Sequence, residues 1–224
     1  MIYLPKSQPA PACLEVEKAK ANGSYNCGDV LAILKTDFKN KCYICEDKEP
    51  HVINTEHFIP HKGNKDLKFD WNNLFYCCGH CNNTKLANSL YDDILNCTIE
   101  GDGVDTKIKY SINPFPKEKA VFKAIDNTAK VNNTIELLKA VYNGTTELKK
   151  IESDNLRKKL LHEIKYFQGL LFDYFDDSNN DEEKATIRNK IDRQLRATSS
   201  FTAFKKWIIR DNEMLNAEFQ EYLT

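Results

Sequence analysis

Four cysteines in this chain stand in two C-x-x-C pairs, Cys42 with Cys45 and Cys78 with Cys81, and roughly thirty residues separate the pairs. Each pair has a spacing that is common among zinc ligands, and two such pairs suit one tetrahedral site that closes a loop. Four thiolates leave zinc no open position for water, so the predicted site is structural and not catalytic. The expected task of the metal is to hold the residues inside the loop against those that follow Cys81.

The remaining four cysteines are expected to be ordinary small apolar residues: Cys13, Cys27, Cys77 and Cys97. Cys77 adjoins Cys78, but the C-x-x-C spacing favours Cys78 as the ligand. Disulfides are not expected, because the N-terminus lacks an apolar signal segment and a reducing cytoplasm with a bound metal explains the paired cysteines better. No apolar run approaches the length that crosses a bilayer, so no membrane association is predicted.

A second set of side chains inside and just after the zinc loop could hydrolyse a phosphodiester bond. That reaction needs a base that deprotonates water and a cation that neutralises the leaving oxygen. His57 suits the first task, since the pKa of an imidazole lies near neutral pH. Mg²⁺ or Mn²⁺ suits the second and prefers oxygen ligands, which Glu56 and Asn82 can supply.

The order of these residues resembles the HNH nuclease superfamily (the ββα-metal or His-Me finger enzymes), in the version with a four-cysteine zinc site. The family pattern is C-x-x-C, an acidic residue before His, Asn-Leu, then C-x-x-C followed by His or Asn and by Lys three residues later; every part is present here. The resemblance implies that His57 is the general base and that Glu56 and Asn82 bind the catalytic cation. It implies further that Asn73 holds the loop of the base. Glu56 stands where Asp is common, and Asn82 where His is common.

A narrower resemblance is to the HNH subunits of bacterial anti-phage systems, such as the nuclease subunit of Septu (PtuB-like). The matching strings are E-H-F-x-P at 56–60, D-W-N-N-L at 70–74, N-T-I at 133–135 and S-F-T-A-F at 200–204. This resemblance implies an effector nuclease that acts on nucleic acid, with DNA favoured over RNA, together with an ATPase partner.

The charge of the chain indicates weak intrinsic affinity for nucleic acid. The net charge is −1, whereas nucleic-acid-binding proteins usually carry a basic excess, because phosphate contacts supply most of the affinity. A local excess of basic residues near the motif predicts a small positively charged patch around the site. Its members are His61, Lys62, Lys65, Lys68 and Lys85. Among these, His61 and Lys85 are predicted to contact substrate phosphate, and a partner is expected to supply further affinity.

The predicted fold class is α+β, a zinc-stapled ββα core with a mostly helical remainder. Residues 1–40 form an arm and short helices, 41–97 the nuclease core, and 98–224 a hairpin followed by a helical extension. Hydrophobic periodicity and turn signals predict the individual elements. They are a strand within 50–57, a hairpin over 98–112, and helices over 14–21, 29–38, 81–94, 134–142, 148–174, 182–197 and 201–222. The helices of the extension, including 201–222, are predicted to dock on the ATPase.

Two other functions are compatible with parts of the sequence. A catalytically silent zinc ribbon that binds nucleic acid or protein explains the cysteines, but not the order of Glu56-His57, Asn73 and Asn82. A regulatory or scaffold subunit, in which the helical half carries the function, leaves the HNH-like core an assisting role. The prediction is therefore a cytoplasmic, metal-dependent endonuclease.

Overall fold

The computed structural model describes residues 1–223. The chain is about half helical and has two small antiparallel sheets, so the predicted α+β class is confirmed. The helices are α1 Cys13–Ala19, α2 Val30–Asp37, α3 Lys65–Phe69, α4 Gly79–Lys85, α5 Ala129–Asn143, α6 Glu147–Tyr174, α7 Asp181–Leu195, α8 Thr202–Arg210 and α9 Glu213–Phe219. The strands are β1 Ile53–His57, β2 Leu74–Cys78, β3 Ile108–Ser111 and β4 Val121–Ala124, and 3₁₀ turns occupy Trp71–Asn73, Ser89–Asp92, Glu100–Asp102 and Gln220–Tyr222. Within residues 1–223, none of the helices combines the length and the apolar character needed to span a membrane.

The first sheet and the helix after it form a β-β-α unit that contains the paired cysteines. Strands β1 and β2 pair antiparallel, with Ile53 opposite Cys78 and His57 opposite Leu74. Helix α4 begins directly after β2, and Cys78 Sγ accepts a hydrogen bond from the Cys81 amide over 3.4 Å. Every residue of β2 is buried, as expected for the apolar run L-F-Y-C-C. The unit therefore holds the end of β1 and the start of α4 in a fixed relation.

One hydrophobic core extends from the cysteine region into the helical remainder. Tyr43, Phe58 and Phe75 pack together there, with the rings of Phe58 and Phe75 stacked at 4.9 Å. The Tyr142 hydroxyl in α5 donates to the Cys45 carbonyl over 2.6 Å. The Phe201 amide donates to the Glu46 carbonyl over 3.3 Å. The packing is thus continuous across residue 97, where the sequence suggested the end of the core.

The predicted hairpin over 98–112 is wrong in its partner strand. A turn does lie at 100–103, where Gly103 with a φ of 54° ends a 3₁₀ turn, but residues 98–99 before it form no strand. Strand β3 pairs instead with β4, which places Tyr110 opposite Phe122 with ring centroids 5.4 Å apart. This register buries two aromatic rings, a gain that the turn signal at 100–103 does not reveal.

Two predicted helices are shorter than expected because asparagines begin new turns. The helix predicted over 81–94 ends at Lys85, and Asn88 caps a separate 3₁₀ turn by accepting from the Leu90 amide over 3.0 Å. The helix predicted over 201–222 is divided into α8 and α9, where Asn212 caps α9 by accepting from the Leu215 amide over 3.0 Å. Asparagine competes for backbone hydrogen bonds and so favours caps over helix interiors.

The prediction for two of the four remaining cysteines is wrong. Cys13 and Cys27 form a disulfide with a Cα–Cα distance of 6.0 Å, which closes the segment 13–27 into a loop. Gly28 makes room for it, because a Cβ at this position would lie 3.2 Å from Cys13 Sγ and the backbone there has a φ of 46°. Cys77 and Cys97 are buried free thiols, as predicted.

Candidate functional site

The four cysteines of the two C-x-x-C pairs come together in the core. All four are buried, and their sulfur atoms lie within 4.8 Å of one another, so the group could hold a metal such as zinc. Four closely spaced thiols are the donor set of a structural tetrahedral zinc site, and the residues present fit that ion. The Sγ of Cys77 lies 3.9 Å from that of Cys42 but is not part of the four-sulfur group.

A backbone carbonyl fixes one ring nitrogen of His57, which lies at the end of β1. Its Nε2 lies 3.0 Å from the carbonyl oxygen of Lys68. A carbonyl can only accept, so Nε2 carries the proton, and Nδ1 of the neutral ring keeps its lone pair. Burial lowers the pKa of His57, and the proximity of His61 lowers it further, whereas the bond to Lys68 acts in the opposite direction. The ring is therefore neutral at pH 7, with Nδ1 able to take up a proton.

Two aromatic rings contact the imidazole of His57. The His61 ring lies 4.7 Å away, and the Tyr25 ring lies 4.6 Å away at an interplanar angle of 72°. His61 Nδ1 accepts from the Gly63 amide over 3.1 Å, which orients the second histidine. The structure thus brings His57 and His61 together. It adds Tyr25, which no motif indicates, because Tyr25 and His57 lie far apart along the chain.

Asn73 ties the segment between β1 and α3 to the start of β2. Its side-chain oxygen accepts from the Ile59 amide over 2.7 Å. Its side-chain nitrogen donates to the carbonyls of Ile59 and Leu67 over 2.9 and 3.0 Å. Asn73 is itself buried, so loss of these three hydrogen bonds would leave polar groups with little access to water. The three bonds fix the backbone on both sides of His61.

Glu56 points to the opposite side of β1 from His57 and is buried against Lys85 of α4. Only 4% of Glu56 is exposed, and its Oε1 lies 3.1 Å from Lys85 Nζ. Neither carboxylate oxygen forms a hydrogen bond of normal geometry with a described residue. Burial raises the pKa of Glu56, and the neighbouring ammonium group offsets part of that increase. The carboxylate therefore retains ligand capacity and relies on one cation for charge compensation.

Lys85 lies in the interior and not at the surface where a phosphate contact was expected. It is 2% exposed, and its ammonium group also donates to the Phe58 carbonyl over 2.8 Å. Lys62, by contrast, is exposed and lies 4.0 Å from Asp92, and Lys65 is also exposed. The cations that face solvent near His57 therefore belong to the segment before and within α3.

Asn82 lies on α4, three residues before Lys85, so the two side chains share one face of the helix. Asn82 is partly exposed, so its carboxamide can be reached by an external ligand. The structure thus places Asn82 less than one helical turn from the Glu56–Lys85 pair.

His80, between two metal-capable cysteines, joins α4 to the helical remainder. Its Nδ1 lies 2.8 Å from the Glu152 carboxylate of α6, and its Nε2 lies 2.8 Å from the Val141 carbonyl of α5. Both contacts are of hydrogen-bonding length, so the imidazole links α4 to α5 and to α6. No local sequence pattern indicates this role, because Val141 and Glu152 lie far along the chain.

No protein-family model matches the chain, and the search of curated proteins gave no match. The assignment of a function therefore depends on the geometry just described and on the order of the motif residues.

Proposed function

We propose that this chain is a metal-dependent endonuclease of the HNH type that hydrolyses phosphodiester bonds in nucleic acid, with DNA favoured. The observation that carries the proposal is the state of His57 at the end of β1. Its Nε2–H is bound to the Lys68 carbonyl, so Nδ1 is the nitrogen that carries the lone pair, which is the arrangement a general base needs. The β-β-α unit that presents it is held by a four-thiol group suited to zinc.

In the proposed mechanism His57 Nδ1 removes a proton from the attacking water. The Lys68 carbonyl keeps the ring in the tautomer that can do so and stabilises the imidazolium that forms. Asn73 holds the backbone that carries His61, so that His61 can contact a phosphate oxygen next to the base. Burial lowers the pKa of His57, which keeps the base unprotonated near neutral pH.

Glu56 and Asn82 fit the donor chemistry of a hard divalent cation. Within residues 1–223 the buried carboxylate oxygens of Glu56 have no hydrogen-bond partner, and the Asn82 amide is partly exposed. When bound, Mg²⁺ or Mn²⁺ would neutralise the charge that develops on the leaving 3′ oxygen. Lys85 already compensates the Glu56 carboxylate, so its role in the proposal is that of a counter-ion and not of a phosphate contact.

The biological setting that we propose follows from the resemblance to anti-phage nucleases: an effector nuclease that acts with an ATPase. The near-neutral charge of the chain supports a need for a partner in substrate binding. The apolar sides of α8 and α9 are not free for this purpose, since Phe204, Ile209 and Phe219 are buried within the chain. An exposed apolar surface formed by α6 and α9, with Phe172 79% and Met214 57% exposed, is the contact area that we propose instead.

The test is cleavage of plasmid and of transfer RNA by purified protein in Mg²⁺ or Mn²⁺, with and without a candidate ATPase. His57→Ala should abolish cleavage while zinc content and fold remain intact, because the substitution removes only the base. His51→Ala is the matched control, since His51 is exposed and should keep wild-type activity. A His57→Ala protein that cuts at near wild-type rate would make the assignment wrong, and His61 would be tested next.

One observation favours a second candidate function, a silent zinc module that binds nucleic acid or protein. Glu56 is buried and already paired with Lys85, which is also how a carboxylate without a catalytic cation would be kept. This alternative predicts no metal-dependent cleavage by the wild-type chain under any of these conditions, with binding of nucleic acid or partner unaffected by His57→Ala.

A further inference from the structure

The disulfide-closed segment 13–27, called here the N-terminal loop, packs against the elements that hold His57. Lys68 Nζ donates to the Gly23 carbonyl of the loop over 3.0 Å. Lys18 of the loop pairs with Asp66 of α3 over 3.0 Å. A Cβ on Gly23 would lie 3.2 Å from the Phe69 ring and 1.9 Å from a backbone oxygen within the loop, so only glycine allows this close approach. The loop therefore lies directly on α3.

Two of the three contacts that orient the His57 ring are linked to this packing. Tyr25 of the loop contacts the ring edge-on at 4.6 Å. The carbonyl that fixes Nε2 belongs to Lys68, whose side chain is held by the loop. Asn73 fixes the segment of His61, the third neighbour of the ring. The loop therefore supplies one contact directly and supports a second.

We propose that Tyr25 is a positioning residue for His57 and that the Cys13–Cys27 disulfide holds Tyr25 in place. The inference rests on the proposed function, since it concerns the orientation of the base. An imidazole that loses one flanking ring gains freedom to rotate about its side-chain bonds, which exchanges the positions of Nδ1 and Nε2. The hydroxyl of Tyr25 has no part in this, because the contact is made by the ring.

The disulfide makes the orientation of the base dependent on redox state. A dithiol reductant transfers two electrons and two protons, the bond between Cys13 and Cys27 breaks to give two thiols, and the reductant becomes a disulfide. The loop then loses its covalent closure, and Tyr25 is held by packing alone. The four thiols of the candidate zinc site are separate from this pair, so both groups can be followed in one sample.

The first experiment compares Tyr25→Ala and Tyr25→Phe in the full chain by steady-state cleavage. Tyr25→Ala should lower kcat about three- to tenfold, the range expected for loss of one aromatic pair, with KM within about twofold of wild type. Tyr25→Phe should restore wild-type kcat. Tyr166→Ala, on the exposed side of α6, is the matched control and should have no effect. An unchanged kcat in Tyr25→Ala, or a Tyr25→Phe protein as slow as Tyr25→Ala, would overturn the proposal.

The second experiment tests whether the disulfide acts through Tyr25. The double variant Cys13→Ser/Cys27→Ser, and wild-type protein reduced by a dithiol at unchanged zinc content, should both show the loss seen for Tyr25→Ala. Adding Tyr25→Ala to the double variant should cause no further loss, because both changes remove the same contact. Fully multiplicative losses would show that the disulfide does not act through Tyr25 and would overturn this part.

A third readout does not depend on cleavage. Nitrogen-15 NMR of the His57 ring should show one tautomer, protonated at Nε2, in wild-type protein and a mixture in Tyr25→Ala. If wild-type protein cuts no nucleic acid and yet shows this difference, the proposed function fails while the positioning role stands. If wild-type protein is active and the tautomer is the same in both proteins, the positioning role fails and the proposed function stands.

Discussion

The contribution of the Glu56–Lys85 ion pair to the free energy of unfolding can be calculated and measured. Lys85→Met keeps the length of the side chain and removes its charge, which leaves the buried Glu56 carboxylate without compensation. With an effective dielectric constant of about 20, two unit charges 3.1 Å apart attract by about 5 kcal/mol. Loss of one partner from a buried pair typically costs about 3–5 kcal/mol.

The loss of stability cannot exceed the free energy of protonating Glu56, because a neutral carboxyl group needs no counter-ion. Protonation at pH 7 of a group whose unfolded pKa is 4.5 costs about 1.36 kcal/mol for each pH unit above 4.5, or about 3.4 kcal/mol. We therefore expect Lys85→Met to lower the free energy of unfolding by about 3 kcal/mol at pH 7. A raised folded pKa means that the folded state binds the extra proton, so the loss should shrink by about 1.4 kcal/mol for each unit that the pH falls toward 4.5.

The assay is urea denaturation at fixed zinc content, followed by the fluorescence of the buried Trp71 between pH 5 and 8. Lys190→Met, on the exposed surface of α7, controls for loss of a lysine as such. The double variant Glu56→Gln/Lys85→Met should recover most of the stability, because no buried charge remains. A loss below about 1 kcal/mol at pH 7, or a loss that does not change with pH, would refute Lys85 as the counter-ion of Glu56.

Three further outcomes follow from the site. Metal analysis should find one zinc per chain, and Cys45→Ser or Cys78→Ser should unfold or aggregate the motif region, because such sites contribute folding free energy directly. Asn73→Ala removes three buried hydrogen bonds and should destabilise the chain by about 2–3 kcal/mol, measured by denaturation, with faster hydrogen exchange over 59–67. The lowered pKa of His57 should keep the cleavage rate high below pH 6.5, since the base acts in its neutral form; a pH–rate profile measures this.

Each of these outcomes has a clear contrary result. Soluble, folded protein that contains no zinc would show that the prediction of a structural zinc is wrong. An Asn73→Ala protein with unchanged exchange over 59–67 would show that the side chain does not hold the segment. A rate that falls to half at or above pH 6.5 would mean that burial does not keep the base neutral, or that another group limits the reaction.

The local parts of the site could be predicted from the sequence, because spacing determines them. Two C-x-x-C pairs bring four sulfurs together, and the sulfurs lie within 4.8 Å of one another as that spacing requires. The helix with apolar positions from Leu156 to Leu171 was predicted over 148–174 and spans Glu147–Tyr174. In both cases the signal lies within one element or one loop.

The parts that could not be predicted depend on contacts between distant segments. Neither Cys13 nor Cys27 has a spacing that indicates a disulfide, and Tyr25 contacts His57 although the two lie far apart along the chain. Lys85 has the position of a phosphate contact in the motif, whereas its burial follows from how α4 packs on β1. A pattern gives the residue type, but the direction of the side chain is set by the fold around it.

The hydrogen bonds between the cysteine region and the helices bear on how the chain can evolve by recombination. Lys41, beside the first cysteine pair, donates to the Ser199 carbonyl over 2.7 Å and lies 3.6 Å from Glu46, which also accepts from the Ala203 amide. Recombination that exchanged residues 41–97 for another segment would deprive the Ser199 carbonyl and the Ala203 amide of these partners. Residues 41–97 and the helical remainder are therefore expected to have evolved together. We do not expect residues 41–97 to be exchanged between proteins as a separate domain.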